Sequence, residues 1–288
     1  MRQRSISAVG VVIVGLVPAL MGGPVFAAVL AILCLIGMHE YNAMARRVGN
    51  DIAPIGLAVL PGFALAAAFD GGSQALLGVC ALAAGIPLVW AMFRPDLEGA
   101  LVDWALSAAG ILYLGLPLFA AIALRQSAGD INANWLDNLA RWLSLGWDSD
   151  PRGLAWLLLV ILVTWLGDTF AFLVGRSAGR RPLIPRISPK KTVEGLAGGL
   201  TGAAITGAIA VALFGLGIPW WGGLIAGLLI GVVGVIGDLA ESLLKRQAGI
   251  KDSGTLIPGH GGLLDRLDAL LFTWTAGWFV ATLFDRWF

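Results

Sequence analysis

Apolar stretches of about 20 residues, separated by short polar breaks, run from one end of this chain to the other. A helix of that length spans the hydrocarbon core of a bilayer. The pattern therefore predicts an all-α polytopic membrane protein with nine crossings, over 6–22, 25–45, 52–69, 74–93, 101–124, 154–174, 193–215, 219–241 and 267–284. The first two form a tight hairpin. The third carries Pro61, which a membrane helix accommodates when neighbours or water satisfy the freed carbonyl. The N-terminus has the basic start, apolar middle and small residues of a signal peptide. The next apolar run follows at once, so 6–22 is read as a retained first helix.

Three regions follow from this layout: N-terminal transmembrane helices over 1–124, a polar connection over 125–153, and a C-terminal transmembrane region over 154–288. Within the connection, Trp135, Leu139, Trp142 and Leu143 recur at helical spacing, which predicts a helix lying in the membrane interface. Trp147, Trp156, Trp220, Trp221, Trp278 and Trp287 fall near the same surface, as an aromatic belt does. Gly223, Gly227 and Gly231 repeat every fourth residue, as do Gly195 and Gly199, a spacing that lets membrane helices pack backbone to backbone.

Composition agrees. The 288 residues are 58% hydrophobic and 13% charged, against about 25% charged in a soluble domain. Cys34 and Cys80 both lie inside apolar runs and imply neither a disulfide nor a metal site. The net charge of +1 says nothing about partners, but its distribution does. With the N-terminus in the cytoplasm, the nine-span layout places 15 of the 19 Lys and Arg residues on the cytoplasmic side. Only Arg125, Arg141, Arg152 and Arg286 fall opposite, an asymmetry that the positive-inside rule favours. A multi-pass protein of the cell's inner membrane is expected, with the bilayer as partner and no nucleic acid.

Against this background the polar residues inside or beside apolar runs stand out, because charge at a bilayer is expensive to hold. Asp238, Glu241 and Lys245 share one helix face at the end of the eighth span, and Asp238 lies within the apolar run itself. Asp265 and Asp268 lie three residues apart at the start of the ninth span, beside His260, Gly261, Gly262 and Arg266. Asp238, Asp265 and Asp268 offer hard oxygen ligands suited to Mg²⁺, which bridges readily to phosphates. Asp168 is a third acid within an apolar run, and Ser188, Lys190, Lys191 and Thr192 are expected to open the seventh span as an anion site. The same lysines also serve as topology signals. His39 and Glu40 sit on the second span; adjacent residues cannot share a helix face, so only Glu40 is a candidate to line a cavity. The segment Gly175-Arg176-Ser177-Ala178-Gly179 matches GxSxG. A nucleophile elbow needs a strand before the serine, and here a membrane helix precedes it.

The segment 242–268 resembles the signature of the phosphatidate cytidylyltransferases at Ser242, Lys245, Arg246, Lys251, Asp252, Gly254, Pro258, His260, Gly261, Gly262, Asp265, Arg266 and Asp268. The segments 167–176 and 188–195 are also similar to that family, so the resemblance covers the C-terminal half. It implies an all-helical enzyme, often dimeric, that converts CTP and phosphatidate to CDP-diacylglycerol and pyrophosphate. It further implies a two-cation site, Mg²⁺ with K⁺, on Asp238 and Asp265, with Lys245 beside them. Asp168, Ser188, Lys190, Lys191, Arg246, Lys251, His260 and Arg266 are the expected substrate contacts. Two rivals use the same residues differently. A CTP-dependent lipid kinase would transfer the γ-phosphate and release CDP. An ion-coupled transporter would spread its acids along a transmembrane path, whereas here they gather toward one face.

Overall fold

The computed structural model describes residues 2–50, 52–54, 56–68, 72–143, 150–259 and 261–287. Ten helices account for most of them: α1 (Arg2–Met21), α2 (Gly23–Arg47), α3 (Gly56–Ala68), α4 (Gly72–Ala91), α5 (Ala100–Arg125), α6 (Asn134–Leu143), α7 (Pro151–Ala178), α8 (Val193–Leu213), α9 (Trp220–Gln247) and α10 (Leu264–Phe284). A two-stranded antiparallel hairpin, β1 (Pro182–Ile184) and β2 (Ser188–Thr192), joins α7 to α8.

Every expected span overlies a helix. Among the described residues, seven helices (α2, α4, α5 and α7 to α10) are long and apolar enough to cross a membrane. The protein is a polytopic all-α membrane protein. Among the described residues its third apolar run gives the 13-residue α3, with Pro61 inside it; that length rises about 20 Å, short of a full crossing.

Two packing devices hold the bundle. The central helix α5 contacts α2, α3, α4, α7 and α10, and its Ile111, Leu114 and Leu118 are fully buried. The sequential trio α7, α8 and α9 packs through glycine. A Cβ added at Gly207 would meet Gly223 O at 2.2 Å, one at Gly227 would meet Ala203 O at 2.3 Å, and one at Gly195 would meet Ala171 O at 2.9 Å. Backbones this close gain dispersion contacts that larger residues would forfeit. Helix α6 buries Leu136 and Ala140 and leaves Trp135 and Trp142 exposed.

The two ends of the bundle differ in chemistry. At one end, Arg125 is fully buried and its Nε donates to Ala19 O at 2.9 Å, while Arg152 pairs with Asp285 at 2.6 Å. These contacts tie the ends of α1, α5 and α10 to the start of α7. At the other end α2, α7 and α9 finish, α8 and α10 begin, and the hairpin and the 248–263 loop cover them. The candidate chemistry lies there.

Candidate active site

Three carboxylates from three helices face one another at this end. Asp168 projects from α7, Asp238 from α9 and Asp268 from α10, and each of Asp168 and Asp268 feels the negative charge of Asp238. All three line a cavity of about 720 Å³. The cavity is amphiphilic. Asp265, Arg266 and the three acids form one part of its wall, and Leu30, Leu157, Ile161 and Trp274 form another. From Asp168 to Leu157 along α7 is 11 residues, so the cavity extends about 16 Å into the apolar span.

A lysine from the hairpin reaches these acids. Lys191 Nζ lies 2.5 Å from Asp238 Oδ2, and Ser242 Oγ donates to Asp238 Oδ1 at 3.5 Å. The hairpin is fixed at its base by Glu194, which accepts from the backbone N–H of Arg180 at 3.0 Å and of Arg181 at 3.1 Å. Thr192 caps α8, its Oγ1 accepting from Gly195 N at 3.1 Å. Lys190 and Lys191 therefore lie on a strand that leads directly into α8, just ahead of the helix they were expected to open. A strand alternates its side chains, and Lys190 is exposed while Lys191 turns toward Asp238.

Asp265 has a different environment. Its Oδ2 accepts from Ser253 N at 2.8 Å and Gly262 N at 2.8 Å and lies 3.1 Å from Ser253 Oγ, and its Oδ1 accepts from Lys245 Nζ at 2.7 Å. Lys245 also lies 3.1 Å from Glu241 Oε1. Glu241 is fully buried and neither of its oxygens has a hydrogen-bond partner, so that contact is an ion pair without hydrogen-bond geometry. The arrangement is one buried ammonium between two buried carboxylates, next to the open cluster of three.

The remaining expected contacts separate. Arg266 is exposed and lines the cavity. Lys251 is exposed on the covering loop, and Ser188 starts β2. Arg246 turns to backbone instead, its Nε donating to Ile187 O at 3.3 Å and its Nη1 to Ile250 O at 3.0 Å. It holds the hairpin to the end of α9. His260 lies outside the described residues. Ser177 is on the last turns of α7, with its Oγ donating to Leu173 O at 2.9 Å, so GxSxG has no strand before the serine and no elbow. Glu40, expected as a candidate to line a cavity, instead binds Ser253 and the start of α10, and Ser253, which the sequence reading left out, links it to Asp265. The only sequence signal for Glu40 is its charge within an apolar run.

The donor set fits a hard divalent cation in one respect and limits it in another. Oxygen ligands on crowded like charges suit Mg²⁺. Among the described residues, however, no three His, Cys, Asp or Glu side chains are gathered closely enough to hold a metal alone. Mg²⁺ commonly takes one or two carboxylates and completes its shell with water and substrate phosphate. The pair Asp238 and Asp268, with Asp168 beside them, matches that mode.

The apolar helical bundle and its cavity, with acids at one part and apolar side chains along the rest, are those of a membrane-embedded enzyme. The chain belongs to the cytidylyltransferase family, whose model matches residues 2–284. It is 35% identical over 278 residues to a phosphatidate cytidylyltransferase of Synechocystis, covering 94% of this chain and 93% of the relative. A phosphatidate cytidylyltransferase of Mycobacterium bovis is 31% identical over 271 residues, 90% of this chain and 81% of that one. One from Bacillus subtilis is 44% identical over 136 residues, 47% of this chain and 51% of its own length.

Proposed function

We propose that this protein joins CTP to phosphatidate, giving CDP-diacylglycerol and pyrophosphate. The observation that carries the reading is the cavity. Anionic and cationic groups at its polar part adjoin an apolar wall that continues into the membrane span. A lipid with a phosphate head matches both parts, and the two acyl chains stay within the bilayer.

The reaction is an in-line displacement. A phosphatidate phosphate oxygen attacks the α-phosphorus of CTP; that P–O bond forms while the bond from the α-phosphorus to the bridging oxygen breaks, and pyrophosphate leaves with the electron pair. The attacking oxygen is already anionic near neutral pH, so no general base is required. What the protein must supply is orientation and relief of charge repulsion. Lys191, Lys190, Lys251 and Arg266 can each contribute a charge-assisted hydrogen bond to a phosphate. When CTP enters, Lys191 exchanges its contact with Asp238 for the triphosphate, which frees the Asp238 oxygens. Lys245 stays with Asp265 and Glu241 and offsets their charge beneath the reacting groups. His260 is read as a binder or orienter. Asp238 and Asp268, with Asp265 adjoining, would hold Mg²⁺, which supplies charge neutralisation on the triphosphate; K⁺ is the candidate for a second cation.

Sidedness belongs to the same proposal. The acid-lined end also carries Arg46, Arg47, Arg176, Arg180, Arg181, Arg186 and Lys190, so the positive-inside rule places it in the cytoplasm, where CTP is available, with the N-terminus on the same side. The membrane is then the cell's inner membrane. A homodimer is a further expectation.

Incubation of purified protein with CTP labelled at the α-phosphate, phosphatidate and Mg²⁺ tests the reading. Label in the lipid fraction with equimolar pyrophosphate is expected. CDP release with a lipid alcohol as acceptor would establish the kinase rival instead.

A further inference from the structure

We infer that Glu40, on α2 in the N-terminal half, is the positioning residue for the carboxylates at the start of α10. Glu40 is buried, with 6% of its surface exposed. Its Oε1 accepts from Leu263 N at 2.8 Å, and its Oε2 accepts from Leu264 N at 2.9 Å and from Ser253 Oγ at 2.8 Å. The helix α10 has Leu263 at its N-cap, a residue with no side-chain acceptor to offer. Glu40 therefore supplies the cap from another helix, more than 200 positions away in sequence. It satisfies two of the N–H groups that a helix start leaves unpaired, and the positive end of the helix dipole favours its charge.

Through Ser253 this cap extends to the site. Ser253 Oγ lies between Glu40 Oε2 and Asp265 Oδ2, and Ser253 N donates to Asp265. The chain of contacts runs Glu40, Ser253, Asp265, Lys245, Glu241 and is buried at every member. Two glycines show how closely the loop is fitted to Glu40. A Cβ at Gly254 would come within 2.7 Å of Glu40 Oε1, and one at Gly262 within 2.6 Å of both Glu40 oxygens. Backbone must approach that carboxylate directly, which only glycine permits. Glu40 touches neither Asp238 nor Asp168 in any of these contacts. Its effect passes through the loop and the first turn of α10, which carries Asp265 and Arg266, to Asp268 just beyond it.

This inference rests on the functional reading above, so its test needs one readout that does not depend on turnover. The full-length protein in detergent is compared with Glu40→Gln and Glu40→Ala by hydrogen–deuterium exchange and by steady-state kinetics. Glutamine keeps the size and one acceptor but turns an N–H₂ group toward backbone N–H donors. We expect faster exchange confined to 253–266, larger for alanine, with the α8 and α9 amides unchanged. Loss of an outer-shell orienting group lowers activity by about 10- to 100-fold, and we expect that loss in kcat, with KM for CTP and phosphatidate within about threefold of wild type, since no substrate contact is removed. Wild-type exchange over 253–266 in both variants would overturn the inference. So would a rise in exchange throughout Glu40→Gln, which would mark a general folding role. If the wild-type protein made no CDP-lipid, the functional reading would fail while the exchange result still decided the role of Glu40.

Discussion

Lys191 and Asp238 stand 47 positions apart in the chain, on a strand and a helix, yet their side chains meet at 2.5 Å. The contact joins the hairpin to the acid cluster, and the proposed reaction requires that it open when CTP binds. Lys191→Ala should therefore raise KM for CTP more than it lowers kcat. Losing one charge-assisted hydrogen bond costs about 1.5–3 kcal/mol, so a rise of roughly 10- to 100-fold in KM is the expected result of steady-state assays. An unchanged KM for both substrates in folded protein would leave Lys191 as a topology signal.

Lys245 is the counter-ion of two buried acids. Its Nζ lies 2.7 Å from Asp265 and 3.1 Å from Glu241. Lys245→Met keeps the stem and removes the charge, leaving both acids uncompensated. Removing one partner of a buried pair typically costs about 3–5 kcal/mol, so a fall in Tm should accompany loss of activity. Glu241→Gln should be milder, since it removes the charge of the one acid whose oxygens have no hydrogen-bond partner.

Ser177 donates to the carbonyl of Leu173 within its own helix. Ser177→Ala should keep nearly full activity, and the same transfer assay measures it. Complete loss would revive a hydrolase-like nucleophile.

How far the sequence carried these conclusions depends on the range of the interaction. The helices were legible because each apolar run is itself one helix, and an apolar run needs no partner to be identified; how many of them cross the membrane was not. Asp168 and Asp238 were legible as charges inside such runs. The hairpin was not: Pro182–Ile184 and Ser188–Thr192 are short and partly basic, and no apolar alternation marks them as strands. Nor was the role of Arg246, which depends on backbone carbonyls of Ile187 and Ile250 rather than on any motif. Glu40 showed the same anomaly as Asp238, but its partners at Leu263 and Leu264 lie beyond any local pattern.

Topology gives an independent check. A reporter fused after Phe288 and one inserted at Arg186 in the hairpin should fall on opposite sides of the membrane, the hairpin side being cytoplasmic. Both on the same side would remove the sidedness assigned to the acid-lined end.

In the proposed reaction, Asp238 and Asp268 hold the cation on which transfer of the cytidylyl group depends. Asp238→Asn and Asp268→Asn keep side-chain size and remove charge; Asp265→Asn is less informative because Asp265 also anchors Lys245 and the covering loop. The decisive measurement is CDP-lipid formation from CTP and phosphatidate across a Mg²⁺ titration, with wild type and both variants matched for Tm. Metal-bound phosphate stabilisation is worth several kcal/mol, so turnover should fall by about 10²-fold or more in each variant, with any residual activity shifted to higher Mg²⁺. Near-wild-type turnover at the same Mg²⁺ midpoint in both variants would contradict the assignment.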